Sequence, residues 1–136
     1  MLKIKYQLQT NIDDTAIRIL IADDHVAMRQ LLFSLIQKQT DMEIIGEAEN
    51  GKIALQMTRR FMPDVVIMDT IMPEMTGIEA TRTIKTELPD IKVIAVSGHS
   101  DKRYVKAMTD AGASEYLLKE RAFGDLADAV RRVMSN

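Results

Sequence analysis

Five short apolar runs alternate along this chain with five stretches of helical periodicity, and that alternation predicts the architecture. The runs cover residues 17–22, 43–48, 65–68, 91–96 and 116–118. The first, third and fourth are nearly continuous and rich in β-branched residues, as strands covered on both faces require. The second alternates more and the fifth is short, which suits positions nearer the sheet edges. Between the first two runs, residues 25–39 place Met28, Leu31, Leu32, Leu35 and Ile36 on one helical arc. Val26 and Phe33 lie off that arc, either as contacts for a partner or as ordinary exposed hydrophobes. Further helices are predicted over 50–61, 76–87, 101–111 and 122–134, with Pro63 and Pro89 each ending a helix shortly before the next strand. Strand–helix units of this size predict a parallel sheet with right-handed crossovers, an α/β three-layer sandwich.

The lead-in, residues 1–15, has a different pattern. Leu2, Ile4, Tyr6 and Leu8 alternate with Lys3, Lys5, Gln7 and Gln9, as in a half-buried strand. It reads as a flexible arm, an extra edge strand, or an arm exchanged with a partner. Residues 16–136 then form one domain, as expected for a chain of 136 residues.

Composition narrows the chemistry. Cysteine is absent, which excludes disulfides, thiolate metal sites and a Cys nucleophile. A net charge of -2 gives no electrostatic footprint for nucleic acid or an anionic membrane. No apolar stretch approaches a membrane span and the first residues lack a secretory signal, so a cytoplasmic location is expected. Arg131 and Arg132 read as part of a solvated helix face rather than a basic patch.

Ligands of open α/β sheets bind outside the carboxyl ends of the strands. There this chain carries Asp23-Asp24, Asp69, Ser97-Gly98 and Lys119, each directly after its run. Clustered carboxylates repel, and a hard divalent cation that accepts oxygen ligands, such as Mg2+, would neutralise them. Magnesium held this way suits phosphate chemistry, with Lys119 absorbing charge and the Ser97 hydroxyl donating to a phosphate oxygen. One carboxylate could itself be the nucleophile, and Asp69, at the end of the central run, is best placed. Taken singly, Asp23 and Asp24 could be helix caps, Asp69 a solvated loop carboxylate and Lys119 a surface lysine. His25 and His99 flank the site and read as rim residues, since magnesium prefers oxygen.

These residues carry a family resemblance. The stretches Ile19-Leu20-Ile21-Ala22-Asp23-Asp24-His25, Asp64-Val65-Val66-Ile67-Met68-Asp69, Met72-Pro73-Glu74-Met75-Thr76-Gly77, Val96-Ser97 and 111–119 (Ala-Gly-Ala-Ser-Glu-Tyr-Leu-Leu-Lys) resemble the receiver domain of two-component response regulators. The Asp-Asp-His start and Tyr-Leu-Leu-Lys end are most similar to receivers of LuxR-type (NarL/FixJ) regulators. The resemblance implies a flavodoxin-like, CheY-like fold with strand order 2-1-3-4-5. It implies that Asp69 is the phosphoacceptor for a sensor histidine kinase or a small phosphodonor. It further implies that Asp23, Asp24, Asp69 and the backbone carbonyl of Ile71 hold Mg2+, and that Lys119 pairs with the acceptor. Ser97 and Tyr116 would be the switch residues, with Ile71 and His99 at the rim as possible tuning positions. The output face would be the fourth helix, fifth strand and fifth helix, and if phosphorylation drives pairing, the Tyr104/Lys106 side of the fourth helix and the face of the fifth helix are the candidates. Transcription regulation is the expected output, either from a stand-alone receiver or from the regulatory half of a DNA-binding protein.

Four positions depart from the family pattern. Thr70 replaces the usual apolar residue after the acceptor, Thr76 stands where Asp often precedes Gly77, and Glu115 stands where Gly is common. No Pro follows Lys119, so a cis peptide bond is not expected there. Three competing readings stay open. A magnesium-dependent phosphohydrolase would want an Asp two residues after the nucleophile, where Ile71 stands. A mononucleotide binder would want a Ser/Thr/Gly-rich loop in place of Asp23-Asp24. A degenerate receiver would bind partners without phosphate.

Overall fold

Each apolar run becomes a strand in the computed structural model, which describes residues 15–136. The order is β1 (Ile17–Ala22), α1 (Val26–Gln37), β2 (Met42–Ala48), α2 (Gly51–Phe61), β3 (Val65–Met68), α3 (Gly77–Glu87), β4 (Lys92–Ser97), α4 (Lys102–Ala111), β5 (Glu115–Leu118) and α5 (Lys119–Ser135). All four strand pairings are parallel and the sheet order is β2-β1-β3-β4-β5. The alternating second run and the short fifth run do form the two edges. The predicted arm lies outside the described residues except for Thr15.

Three helices begin where their sequence signals place them. Asn50 and Asp101 accept backbone N–H bonds from Ile53 and Arg103 at 2.8 Å, capping α2 and α4. Thr76 and Glu79 form a reciprocal capping box that starts α3. Gly112, at φ 113, ends α4 in the left-handed conformation that glycine adopts without a Cβ clash. α5 departs from expectation and starts at Lys119 rather than residue 122.

The sheet divides the core into two layers. On one side Ile19, Ile21, Ile67, Ile94 and Val96 meet α1 and α5; on the other Leu20, Val66, Met68, Val93 and Ala95 meet α2, α3 and α4. Phe33 corrects the sequence reading. It is 4% exposed and belongs to the α1/α5 layer, because α1 packs against both the sheet and α5 and so buries a wider arc than one stripe. Val26 stays exposed at 57%. Arg131 and Arg132 are tied into the fold: Arg131 pairs with Asp41, and Arg132 holds Glu115 through two bonds of 2.9 and 2.7 Å. No cis peptide bond occurs among the described residues, and none of their helices is long and apolar enough to cross a membrane.

Phe33→Ala is expected to lower the unfolding free energy by about 3–5 kcal/mol, read from urea denaturation. A partner-contact residue would leave that free energy nearly unchanged.

Candidate functional site

The parallel sheet brings the carboxyl ends of β1, β3, β4 and β5 to one edge, and the polar residues that follow them converge there. Alternation along the strands separates them by face. Asp23 and Asp69 follow the α1/α5 face, while Ser97, two residues after Ala95, follows the other. Asp23 and Asp69 are both buried, at 1% and 4% exposure. Lys119, the first residue of α5, reaches across to them with its Nζ 3.0 Å from Asp23 Oδ2 and 3.4 Å from Asp69 Oδ2.

The electrostatics of this group are strained. Burial and the neighbouring Asp23 charge push the Asp69 carboxyl up to about 6, against the opposing pull of Lys119 and the Thr70 N–H. Burial acts to lower the Lys119 pKa, but its pairing with Asp23 and the charge of Asp69 outweigh that, and the net shift is upward. The ammonium therefore stays charged through the physiological range.

Asp23, Asp24, His25 and Asp69 each offer a ligand atom, all within 4.8 Å of one another. Asp24 Oδ1 is buried without a hydrogen-bond partner. Three carboxylates around an unsatisfied oxygen fit a hard, oxygen-seeking dication such as Mg2+. His25 comes closer than a rim position: Nδ1 lies 3.2 Å from Asp23 Oδ1 and 3.3 Å from Asp24 Oδ1, although its side chain is 66% exposed. Asp23 Oδ1 also accepts the His25 backbone N–H, and the Arg29 guanidinium donates to the Asp23 carbonyl at 2.6 Å. Arg29 is a site residue the sequence reading missed; nothing in its local pattern separates it from a solvated arginine.

Ser97 is fully buried and its Oγ accepts the backbone N–H of His99 at 3.1 Å. Tyr116 is half-buried, and its hydroxyl donates to the His99 carbonyl at 2.6 Å. The His99 ring stacks on Tyr104 of α4, with centroids 4.6 Å apart. Strands β4 and β5 are thus joined to α4 through the loop after Ser97. Ile71 stands at the rim, 40% exposed, and a shallow hollow bordered by Ser97, Gly98, Leu118 and Lys119 opens beside the lysine. Gly77 also matters here. Its N–H donates to the Thr70 carbonyl at 2.8 Å, and a Cβ at this position would collide with the Asp69 carbonyl oxygen.

A parallel α/β sheet with a buried carboxylate–lysine centre at its carboxyl edge defines a receiver-type domain. The chain belongs to the response regulator receiver domain family, whose model matches residues 19–131. It is 34% identical over 120 residues to the response regulator protein VraR of Staphylococcus saprophyticus, covering 88% of this chain and 57% of that protein. It is 39% identical over 116 residues to VraR of Staphylococcus aureus, covering 85% and 56%. This chain therefore spans a little over half the length of the curated relatives it matches. Among solved structures, a LuxR-family DNA-binding response regulator from Staphylococcus aureus matches at 33% identity and a TM-score of 0.81, covering 85% of this chain and 97% of that one. The response regulator domain of Thermotoga maritima CheB matches at 29% identity and a TM-score of 0.83, covering 89% and 98%.

Asp69 takes up a proton more readily in the folded protein than at the ordinary carboxyl value of 3.8. The fold gains from that proton fully below about pH 4 and loses the gain as pH rises through about 6, a difference on the order of 3 kcal/mol. Asp69→Asn, which removes the buried charge, is therefore expected to melt roughly 5 °C or more above wild type at pH 7.5 in metal-free buffer. The two should converge near pH 4, and adding Mg2+ should raise only the wild type appreciably. Equal melting temperatures at pH 7.5 without metal would contradict the strained carboxylate.

Proposed function

We propose that this chain is a phosphorylatable switch whose acceptor is Asp69, with a sensor histidine kinase or a small acyl phosphate as donor. The observation that carries this reading is the placement of a buried Asp69 carboxylate beside Lys119 Nζ, with Asp23 and Asp24 alongside. With a carboxyl value of about 6, Asp69 is largely ionised at neutral pH and available as a nucleophile. Its oxygen attacks phosphorus, an acyl–phosphate bond forms, and the bond to the donor's imidazole or carboxylate breaks. Lys119, already within reach of Asp69, pairs with the added negative oxygens. Ser97 releases the loop N–H it accepts and donates its hydroxyl to a phosphoryl oxygen. Hydrolysis returns the Asp69 carboxylate and inorganic phosphate, so the domain is a slow autophosphatase rather than a metabolic enzyme.

Asp23, Asp24 and Asp69 would hold Mg2+ together with the Ile71 carbonyl. The ion supplies charge neutralisation for the phosphoryl oxygens when bound. Ile71 and His99 border the approach for water and so tune the lifetime of the acyl phosphate. Because Tyr116 is bonded to the loop that follows Ser97, movement of that loop reaches α4 through the His99–Tyr104 stack. A phosphoryl group adds close to two negative charges, enough to rearrange such a loop. The readout surface is then α4, β5 and α5, and pairing of two copies would use the Tyr104/Lys106 side of α4 and the face of α5. Similarity to a LuxR-family DNA-binding regulator supports transcription control, in the cytoplasm, as the output.

Incubation with acetyl phosphate and Mg2+ should add one phosphoryl mass to the wild type, read by intact-mass spectrometry. Asp69→Ala should gain nothing, and omission of Mg2+ should reduce the wild-type gain at least tenfold. A gain that persists in Asp69→Ala would place the acceptor elsewhere. Light scattering on the same samples tests pairing; an unchanged mass after phosphorylation would exclude it.

A further inference from the structure

Threonines on the helices of this chain usually return their hydroxyl proton to the carbonyl four residues back. Thr58, Thr83, Thr86 and Thr109 all do so, at 2.7–3.1 Å. Two buried threonines behave differently. Thr81 on α3 and Thr70, directly after Asp69, are both completely buried, and neither Oγ1 has a hydrogen-bond partner. A sealed hydroxyl without a partner has lost its water and gained nothing, so both are local liabilities.

Their positions relative to the site differ. Met68 on β3 pairs with Ala95 on β4, and Ala95 with Tyr116 on β5. Thr70 and Ser97 each lie two residues beyond that row, so they leave adjacent strands on the same face, the one that also carries Tyr116. Thr70 is anchored at both backbone groups: its N–H donates to Asp69 Oδ1 at 2.9 Å and its carbonyl accepts from Gly77 N at 2.8 Å. Ser97 ends β4 opposite Leu118 of β5, and its side chain is bonded to the loop that follows, through the His99 N–H. Thr81 lies one turn into α3, among the buried residues of that helix, rather than at the end of a strand.

We infer that Thr70 is a positioning residue for Ser97, its hydroxyl finding a partner in Ser97 or the loop behind it once Ser97 is drawn toward a phosphoryl group on Asp69. The inference rests on the phosphoacceptor reading above. The resting protein carries an unpaired hydroxyl that the phosphorylated arrangement pairs, and part of the drive for the rearrangement is held there. An apolar residue at position 70 would remove both the liability and the drive.

The test uses beryllofluoride with Mg2+ as a non-covalent phosphoryl mimic, on wild type, Thr70→Val, Thr70→Ser and Thr81→Val. Thr70→Val should melt higher than wild type without the mimic and bind it about tenfold more weakly, which corresponds to about 1.4 kcal/mol. Thr70→Ser, which keeps the hydroxyl, should restore the affinity. Thr81→Val should also melt higher but bind as wild type does. If Thr70→Val binds as tightly as wild type, its hydroxyl is unpaired in both states and the inference falls. It falls as well if Thr81→Val weakens binding equally, since the effect would then be general to the layer. Failure of the wild type itself to bind the mimic would overturn the phosphoacceptor reading and this inference with it.

Discussion

Two buried carboxylates share one ammonium at the carboxyl edge of this sheet, and much of the structure is arranged around that imbalance. Asp23 and Asp69 would repel each other if left alone in a low-dielectric setting. Lys119 answers only part of the charge, so burial first and the Asp23 charge second still make Asp69 resist ionisation. Supporting bonds then hold the geometry that repulsion would otherwise open. Arg29 holds the Asp23 carbonyl, the His25 N–H holds its carboxylate, and the Thr70 N–H holds that of Asp69. The site is held under electrostatic load, and neutralising it is favourable before any covalent step.

Much of this arrangement could be read from residue order. Strand-end polar residues converge because a parallel sheet brings its carboxyl ends together, so Asp23, Asp24, Asp69, Ser97 and Lys119 were legible as a group. Helix starts at Asn50, Thr76 and Asp101 were legible because a side-chain cap is a local interaction. The start of α5 was not, since Leu118 caps nothing and Lys119-Glu120-Arg121 lacks an apolar period. Phe33 was misjudged because a single-stripe helix was assumed where α1 touches two neighbours.

Other features depend on distances that no local pattern encodes. The Arg131–Asp41 pair joins residues ninety positions apart, and Arg29 meets Asp23 through a backbone carbonyl. The orphaned hydroxyl of Thr70 is a property of what surrounds it. Glu115 stands where the family prefers glycine, and its forked bond to Arg132 ties the edge strand β5 to the last turns of α5. An exposed pair of this kind contributes little stability, but it constrains the orientation of the face that it spans.

The glycines around Asp69 give the site a stiff side and a yielding side. On one flank the α3 N-terminus abuts the Asp69 carbonyl so closely that Gly77 has no room for a methyl group, and Gly51 meets the Met75 backbone in the same way. On the other flank a Cβ on Gly98 would meet nothing closer than the Lys119 Cδ at 4.0 Å beyond its own chain neighbours, and residues 98–100 are exposed. Extra bulk at Asp69 therefore cannot be absorbed toward α2 and α3, where backbone already touches backbone. Displacement is channelled in one direction, toward the end of β4. The compactness of one wall gives the domain a preferred axis of deformation.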